Sequence, residues 1–462
     1  MASPSPVSTP IPVPAPAPST NPAVAAFTSA NLPSSTYNAT GIALASAALG
    51  ALASPSATVT SASSASGSFP PAAAGSVYVA IATSPATGST IALPPGYGGL
   101  AATGTGAVTL SDNGGSGVVL VGGAGATTFN AAGSGTRLVG GNGTNRFNVS
   151  GTATISTGDG QNTVVANSAS TATVFTGTGT NTVVLAGGGT VVSNGADTVF
   201  GAAFNVTILA TKGVVAIGGD GLLAVQGGSA ASLVFGGKGG INFVAGSGTA
   251  YDVVVGIGGT LDAQLGAGGG QLWGNGTGGN ILRAGTGPSV LYGAGGSKLY
   301  SNGSAGNYLV AGNGNVVLDG SSGSGADVMF GGSQGGFQFI CGAGNDLIGT
   351  GTGLSTVQLG SGTSTVFAFG DSEIRASTGN ASIVMGGTKV MLSINPGNAR
   401  TFAMYNFVPG TDSINAAGYG SFAIDDALAT QVNSGGSTVL TLSDKTTLQL
   451  IGVGRADSRF FT

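Results

Sequence analysis

Histidine is absent from the 462 residues, and cysteine occurs once. The first absence removes the usual proton shuttle of enzymes and the commonest zinc ligand. The second excludes an intrachain disulfide. Charge is scarce too: 12 Lys plus Arg and 16 Asp plus Glu make up 6% of the chain and leave a net charge of −4, where ordinary domains carry about 25% charged residues. The few cations are scattered and form no basic patch, which argues against nucleic acid as a partner. Apolar runs are short and broken by glycine, so no segment reads as a transmembrane helix and no membrane insertion is expected. The chain opens Met1-Ala2-Ser3-Pro4, with no positive charge ahead of its prolines, unlike an N-terminal signal peptide. So little charge also leaves little to oppose self-association.

Glycine fills much of the space. There are 89 glycines, roughly a fifth of the chain against a usual share of about 7%. Hydrophobic residues reach 41%, too many for a solvated disordered polymer. No strict triplet period accompanies the glycine, which excludes collagen. Residues 1–22 form a Pro-rich arm, with Pro10, Pro12, Pro14, Pro16 and Pro18 alternating as in an extended polyproline II segment. Residues 23–97 are rich in Ala, Ser and Thr; 41–53 read as one short helix, and 77–81 and 90–93 as strands.

Residues 98–395 repeat. Leu282, Leu291, Tyr300 and Leu309 recur every nine residues, as do Asn280, Ser289, Lys298 and Asn307. Each unit is three or four strand-prone residues followed by a Gly-rich turn. Asn145, Asn162 and Asn181 are spaced close to twice nine. Two nine-residue halves make a coil of about 18 residues, a solenoid period. A three-residue strand cannot bury itself alone, whereas stacked coils bury it at about 4.8 Å spacing. The expected fold is all-β: a right-handed parallel β-solenoid of Gly-rich repeats, on the order of 16 coils, with a C-terminal β-hairpin cap over 396–462.

Gly342-Ala343-Gly344-Asn345-Asp346-Leu347-Ile348-Gly349 resembles the repeats-in-toxin (RTX) nonapeptide G-G-x-G-x-D-x-U-x. Looser matches start at Gly325, which brings in Asp327, and at Asn194, which brings in Asp197. Elsewhere Asn or Thr stands where that repeat has Asp. The segment from Asn406 to Asn415, the alternating Leu440, Leu442, Leu448 and Leu450, and the Asp457-to-Thr462 ending are similar to the C-terminal region of type I-secreted RTX proteins. The resemblance implies a β-roll secreted without an N-terminal signal peptide, hence an extracellular or cell-surface location. It also implies calcium. With most Asp positions replaced, a calcium array is not expected, and the candidate metal ligands reduce to Asp346, Asn345 and Asp327, for one or two ions.

Other chemistry is sparse. Asp371 and Glu373, beside Arg375, are spaced to share a strand face, as a catalytic pair or a salt bridge. Asp425 and Asp426 read as a solvated turn or helix start. Thr176, Thr178, Thr180 and Thr182 alternate with Gly177, Gly179 and Asn181, and Tyr292, Tyr300 and Tyr308 recur. Either set suggests a row for ice or glycan, or plain strand filling. Cys341 shares a strand face with Phe337 and Phe339 and reads as a small buried hydrophobe. The balance favours a non-enzymatic, self-assembling structural protein of a bacterial surface layer, filament or biofilm matrix, with no cofactor and with copies of itself as partners. The alternative is an adhesin or a glycan- or ice-binding solenoid that contacts cell-surface polysaccharide.

Overall fold

The computed structural model of the chain describes residues 13–53, 58–72, 76–276, 278–397 and 399–462. Most of the Pro-rich arm therefore lies outside the described residues. The chain divides into two compact units, residues 8–246 and 247–462. Both are parallel β-solenoids: successive short strands alternate between two sheets, and each strand pairs in register with the strand one coil away.

In the N-terminal unit the first sheet starts at Val59–Ser64, which pairs with Val77–Thr83, and continues through Gly99–Thr103 to Ile241–Val244. The second runs from Ser89–Ala92 to Leu233–Phe235. The parallel coils thus begin well before residue 98. Period-2 alternation sends one central side chain per strand inward. These stack into unbroken fully buried columns, from Leu100 through Ile155 to Phe243 on the first sheet and from Leu110 through Phe147 to Val234 on the second. The rings of Phe129 and Phe147 lie parallel at 4.6 Å.

Two helices cover the outer side of the first coils. Helix α1 (Pro22–Asn31) begins with Pro at its first turn, and the Asn21 side chain caps it by accepting from Ala23 N at 2.9 Å. Helix α2 (Ala39–Leu52) is capped in the same way by Asn38, which accepts from Gly41 N at 2.8 Å. Leu44, Ala45 and Leu49 pack on Val79, Val119 and Val121. Val119 and Val121, which point away from the solenoid core, are buried by this cover. The buried Tyr37 hydroxyl donates to Gly122 O at 2.8 Å and fixes the helix pair to the coils. The helix expected at 41–53 is α2. Helix α1 is not among the expected elements, although Asn21-Pro22 ahead of an Ala-rich stretch is a helix-start signal.

In the C-terminal unit the first sheet runs from Leu261–Gln264 to Ser413–Asn415, and the second from Asp252–Val255 to Thr401–Tyr405. Their inward columns pass through Leu282, Leu299 and Leu318 on one sheet and Leu291, Leu309 and Met329 on the other, all fully buried. Leu299 therefore occupies the core position that a strict nine-residue spacing assigns to Tyr300. The turn before it is one residue short, so Tyr300 faces outward. The second sheet then takes Thr447–Ile451 as its next parallel strand. That strand forms an antiparallel hairpin with Ser437–Thr441, and the short Val432–Ser434 closes the edge. The hairpin thus extends the sheet and ends it with a three-residue edge, a common device against edge-to-edge pairing. Helix α3 (Gly420–Ala429) packs beside it and exposes Asp425 and Asp426 to solvent.

Candidate functional site

The Asn, Ser and Asp residues that recur with the coil fall at the first position of a strand or one residue before it, turned inward at the corner of the coil, whereas Lys298 is exposed. In the N-terminal unit Asn145, Asn162 and Asn181 are buried and pair in register. Asn145 Nδ2 donates to Asn162 Oδ1 at 2.8 Å, and Asn162 Nδ2 to Asn181 Oδ1 at 2.8 Å. Asp197 ends the ladder. Its Oδ1 accepts from Asn181 N at 3.1 Å and Nδ2 at 2.7 Å, and its Oδ2 accepts from the hydroxyls of Thr176 and Ser193, both at 2.6 Å. Asn162 and Asn181 bond to the coils on both sides, which offsets the cost of burying them, whereas Asn145 Oδ1, at the start of the ladder, has no partner.

The C-terminal unit repeats the device with carboxylates. Asn307 Oδ1 accepts from Ser289 N at 3.0 Å, Asp327 Oδ1 from Asn307 N at 2.9 Å, and Asp346 Oδ1 from Asp327 N at 3.0 Å. Asp346 Oδ2 accepts from Gly342 N at 3.1 Å. Burial pushes the Asp346 carboxyl up to about 6. Burial also raises Asp327, against the opposing hydrogen bonds of Ser301 and Asn307. Asn345, the neighbour of Asp346, points the other way: it is exposed and accepts from Thr363 N at 3.0 Å. The three residues proposed as calcium ligands are thus not brought together. The two carboxylates already take backbone donors inside the coil, and the amide lies outside it. No group of three or more Asp, Glu or Cys with metal-binding geometry occurs among the described residues. Cys341 lies buried beside Phe339, and burial raises its thiol pKa, keeping it protonated.

Asp371, Glu373 and Arg375 do meet. They line an open groove of about 790 Å³ on the outer face of the first sheet, with Lys298, Gln338 and Lys389. Glu373 accepts from Arg375 Nε at 2.8 Å and Nη2 at 2.9 Å, and these bonds hold its pKa below the usual range. The Thr388 hydroxyl donates to Asp371. A carboxylate kept ionised by a guanidinium is the opposite of what a general acid requires.

The proposed rows come apart and re-form differently. Thr176 is buried under Asp197, Thr178 and Thr180 sit in an exposed turn, and Thr182 faces out from a strand. No flat array joins them. Threonine columns run across the coils instead: Thr154, Thr173, Thr190 and Thr207 pair successively on the first sheet, and Thr163, Thr182 and Thr198 on the second. Tyr292 and Tyr308 lie on the second sheet in different rows, and Tyr300 lies on the first. The columns follow coil offsets of 16 to 19 residues, close to the spacing that the Asn residues carry.

Compared with protein-family models, curated proteins and solved structures, the chain matches none. Its geometry alone defines its class, a two-sheet parallel β-solenoid.

Proposed function

We propose that this chain is a secreted structural protein that assembles with copies of itself into a surface layer, filament or extracellular matrix. The observation that carries the reading is the use made of the repeat's polar residues. At the positions where an RTX repeat places calcium-binding Asp, the Asn and Asp side chains are bound into the coil-to-coil ladder. The fold they stabilise needs no ion to neutralise them, apart from the few carboxylates. Low charge leaves the outer faces free to pack. The C-terminal hairpin and its similarity to type I-secreted RTX proteins support an extracellular destination. The test is negative-stain electron microscopy and light scattering of the purified chain, with millimolar calcium and with a chelator. Filaments or sheets in both conditions are the expected result. Assembly in calcium alone would make Asp327 and Asp346 ligands after all, and monomers throughout would sink the reading.

A second reading rests on the threonine columns. A flat, evenly spaced hydroxyl row suits ice or a crystalline polysaccharide. Inhibition of ice recrystallisation, or co-sedimentation with microcrystalline cellulose or chitin, by a chain that stays monomeric would favour it.

A further inference from the structure

The two outer faces of the C-terminal unit are chemically unlike. On the first sheet the outward positions include Asp262, Arg283, Lys298, Asp319, Glu373 and Arg375. On the second sheet ten strands stack from Asp252–Val255 to Thr447–Ile451, and each presents two or three outward positions. None of these positions holds Asp, Glu, Lys or Arg. One row runs in unbroken register from Val255 to Ile451 and includes Trp273, Tyr292, Phe330, Phe367 and Tyr405. Trp273, Phe330 and Tyr405 are 40%, 41% and 39% exposed. The parallel row two residues back is mixed and uncharged: Val253, Val290, Val328, Leu347 and Ala403 are aliphatic, Tyr308 is aromatic, and Gln271, Thr365, Ser382 and Gln449 are polar. The polar group of Gln271 is satisfied within the face, its Oε1 accepting from Trp273 Nε1 at 2.9 Å. Gly349 keeps the face level: a Cβ there would meet the Phe330 ring at 2.7 Å, so the ring lies over the glycine backbone.

We propose that this face seats a second copy of the chain, packed sheet on sheet. The proposal rests on the self-assembly reading and names its contact. Ten strands at about 4.8 Å and four residues of strand width at about 3.3 Å give a face of roughly 45 by 13 Å, or ~600 Å² per copy. Two copies then bury ~1,200 Å², the lower end of what specific stable interfaces use. An uncharged face of that size with an aromatic row along it stands at the upper end of the patches that monomers ordinarily leave in water, roughly 300–600 Å². A second copy also matches it in period, because its rows repeat at the same strand spacing and interdigitate at about 10 Å between sheets.

The test uses the full chain. Phe330→Lys with Tyr405→Lys places two charges on this face, and Gln338→Lys with Thr356→Lys places two on the opposite sheet as a control. Sedimentation velocity should show self-association of the first pair weakened by at least about tenfold, since a buried unpaired ammonium is costly, with the control matching wild type. Trp273 is the sole tryptophan, so wild type carries its own probe. Its emission should shift to the blue, and acrylamide quenching should fall, as assembly proceeds. Assembly unchanged in the Phe330/Tyr405 variant, or Trp273 as quenchable in the assembled state as in the monomer, overturns this contact and leaves the self-assembly reading standing. A wild-type chain that is monomeric at all concentrations removes both. One that then sediments with cellulose or chitin assigns the face to polysaccharide.

Discussion

Asp327 and Asp346 stand one coil apart, in the places that Asn162 and Asn181 occupy in the other unit. An amide there is neutral at every pH, whereas a carboxyl is not, and that difference is measurable. Asp346 is 2% exposed and its pKa is pushed up to about 6 by burial, whereas an unfolded Asp titrates near 3.9. The folded state therefore holds its proton over a range where the unfolded state has lost it. The stabilisation this gives is fully present below about pH 4, falls as pH rises toward about 6, and is gone above that. At ~1.4 kcal/mol per pH unit it amounts to on the order of 2–3 kcal/mol. Asp346→Asn should remove this fall. Urea unfolding at a series of pH values, compared between variant and wild type, isolates the effect. Carboxyls held low by arginine, such as Glu373, slope the other way and cancel in the comparison. Equal pH slopes in the two proteins would show that Asp346 is not buried as the structure places it.

The turns explain the glycine at the scale of the element. They stack coil on coil along with the strands, and a column runs through Gly143, Gly160, Gly179 and Gly195. A Cβ on Gly179 would sit 2.1 Å from Gly160 O, and one on Gly195 1.9 Å from Gly179 O. The obstacle is backbone, so no rotamer relieves it. Gly179→Ala should cost about 2–3 kcal/mol, as overpacking in a rigid interior does. Gly454→Ala, with nothing within 4 Å of its Cβ, should leave the unfolding midpoint within error or raise it slightly. Equal thermal midpoints for the two variants would refute the stacking argument.

This column also shows what a linear reading reaches. The spacing of Asn145, Asn162 and Asn181 already contained the coil length, and with it the parallel strands, while the alternation of Leu440, Leu442, Leu448 and Leu450 contained the hairpin end. Tyr300 was misplaced because a nine-residue ruler ignores a turn one residue short; burial, which puts Leu299 in the core, decides the register. The inward turn of Asp327 and Asp346 was hidden because a loop aspartate and a corner aspartate look alike in a motif. The uncharged face was hidden more deeply. Trp273, Tyr292 and Phe330 are neighbours only once coils of 18 to 20 residues are laid in register, and no window of sequence brings them together.

At the scale of the whole molecule, sparse charge decides how assembly responds to salt. Twenty-eight formal charges are spread over 462 residues, and several are already paired, as Arg283 is with Asp262 and Arg375 with Glu373. If copies meet through uncharged faces, little Coulomb attraction is available for salt to screen. Raising sodium chloride to about 0.5 M, where the Debye length shrinks to roughly 4 Å, should leave the assembled fraction unchanged. Ammonium sulfate, which is excluded from protein surfaces and strengthens apolar burial, should lower the concentration at which assembly begins. Light scattering across a salt series reads both effects. Dissolution by sodium chloride would place the contacts on the charged groove of Lys298, Glu373 and Lys389, because only charged contacts are lost to screening while apolar ones persist.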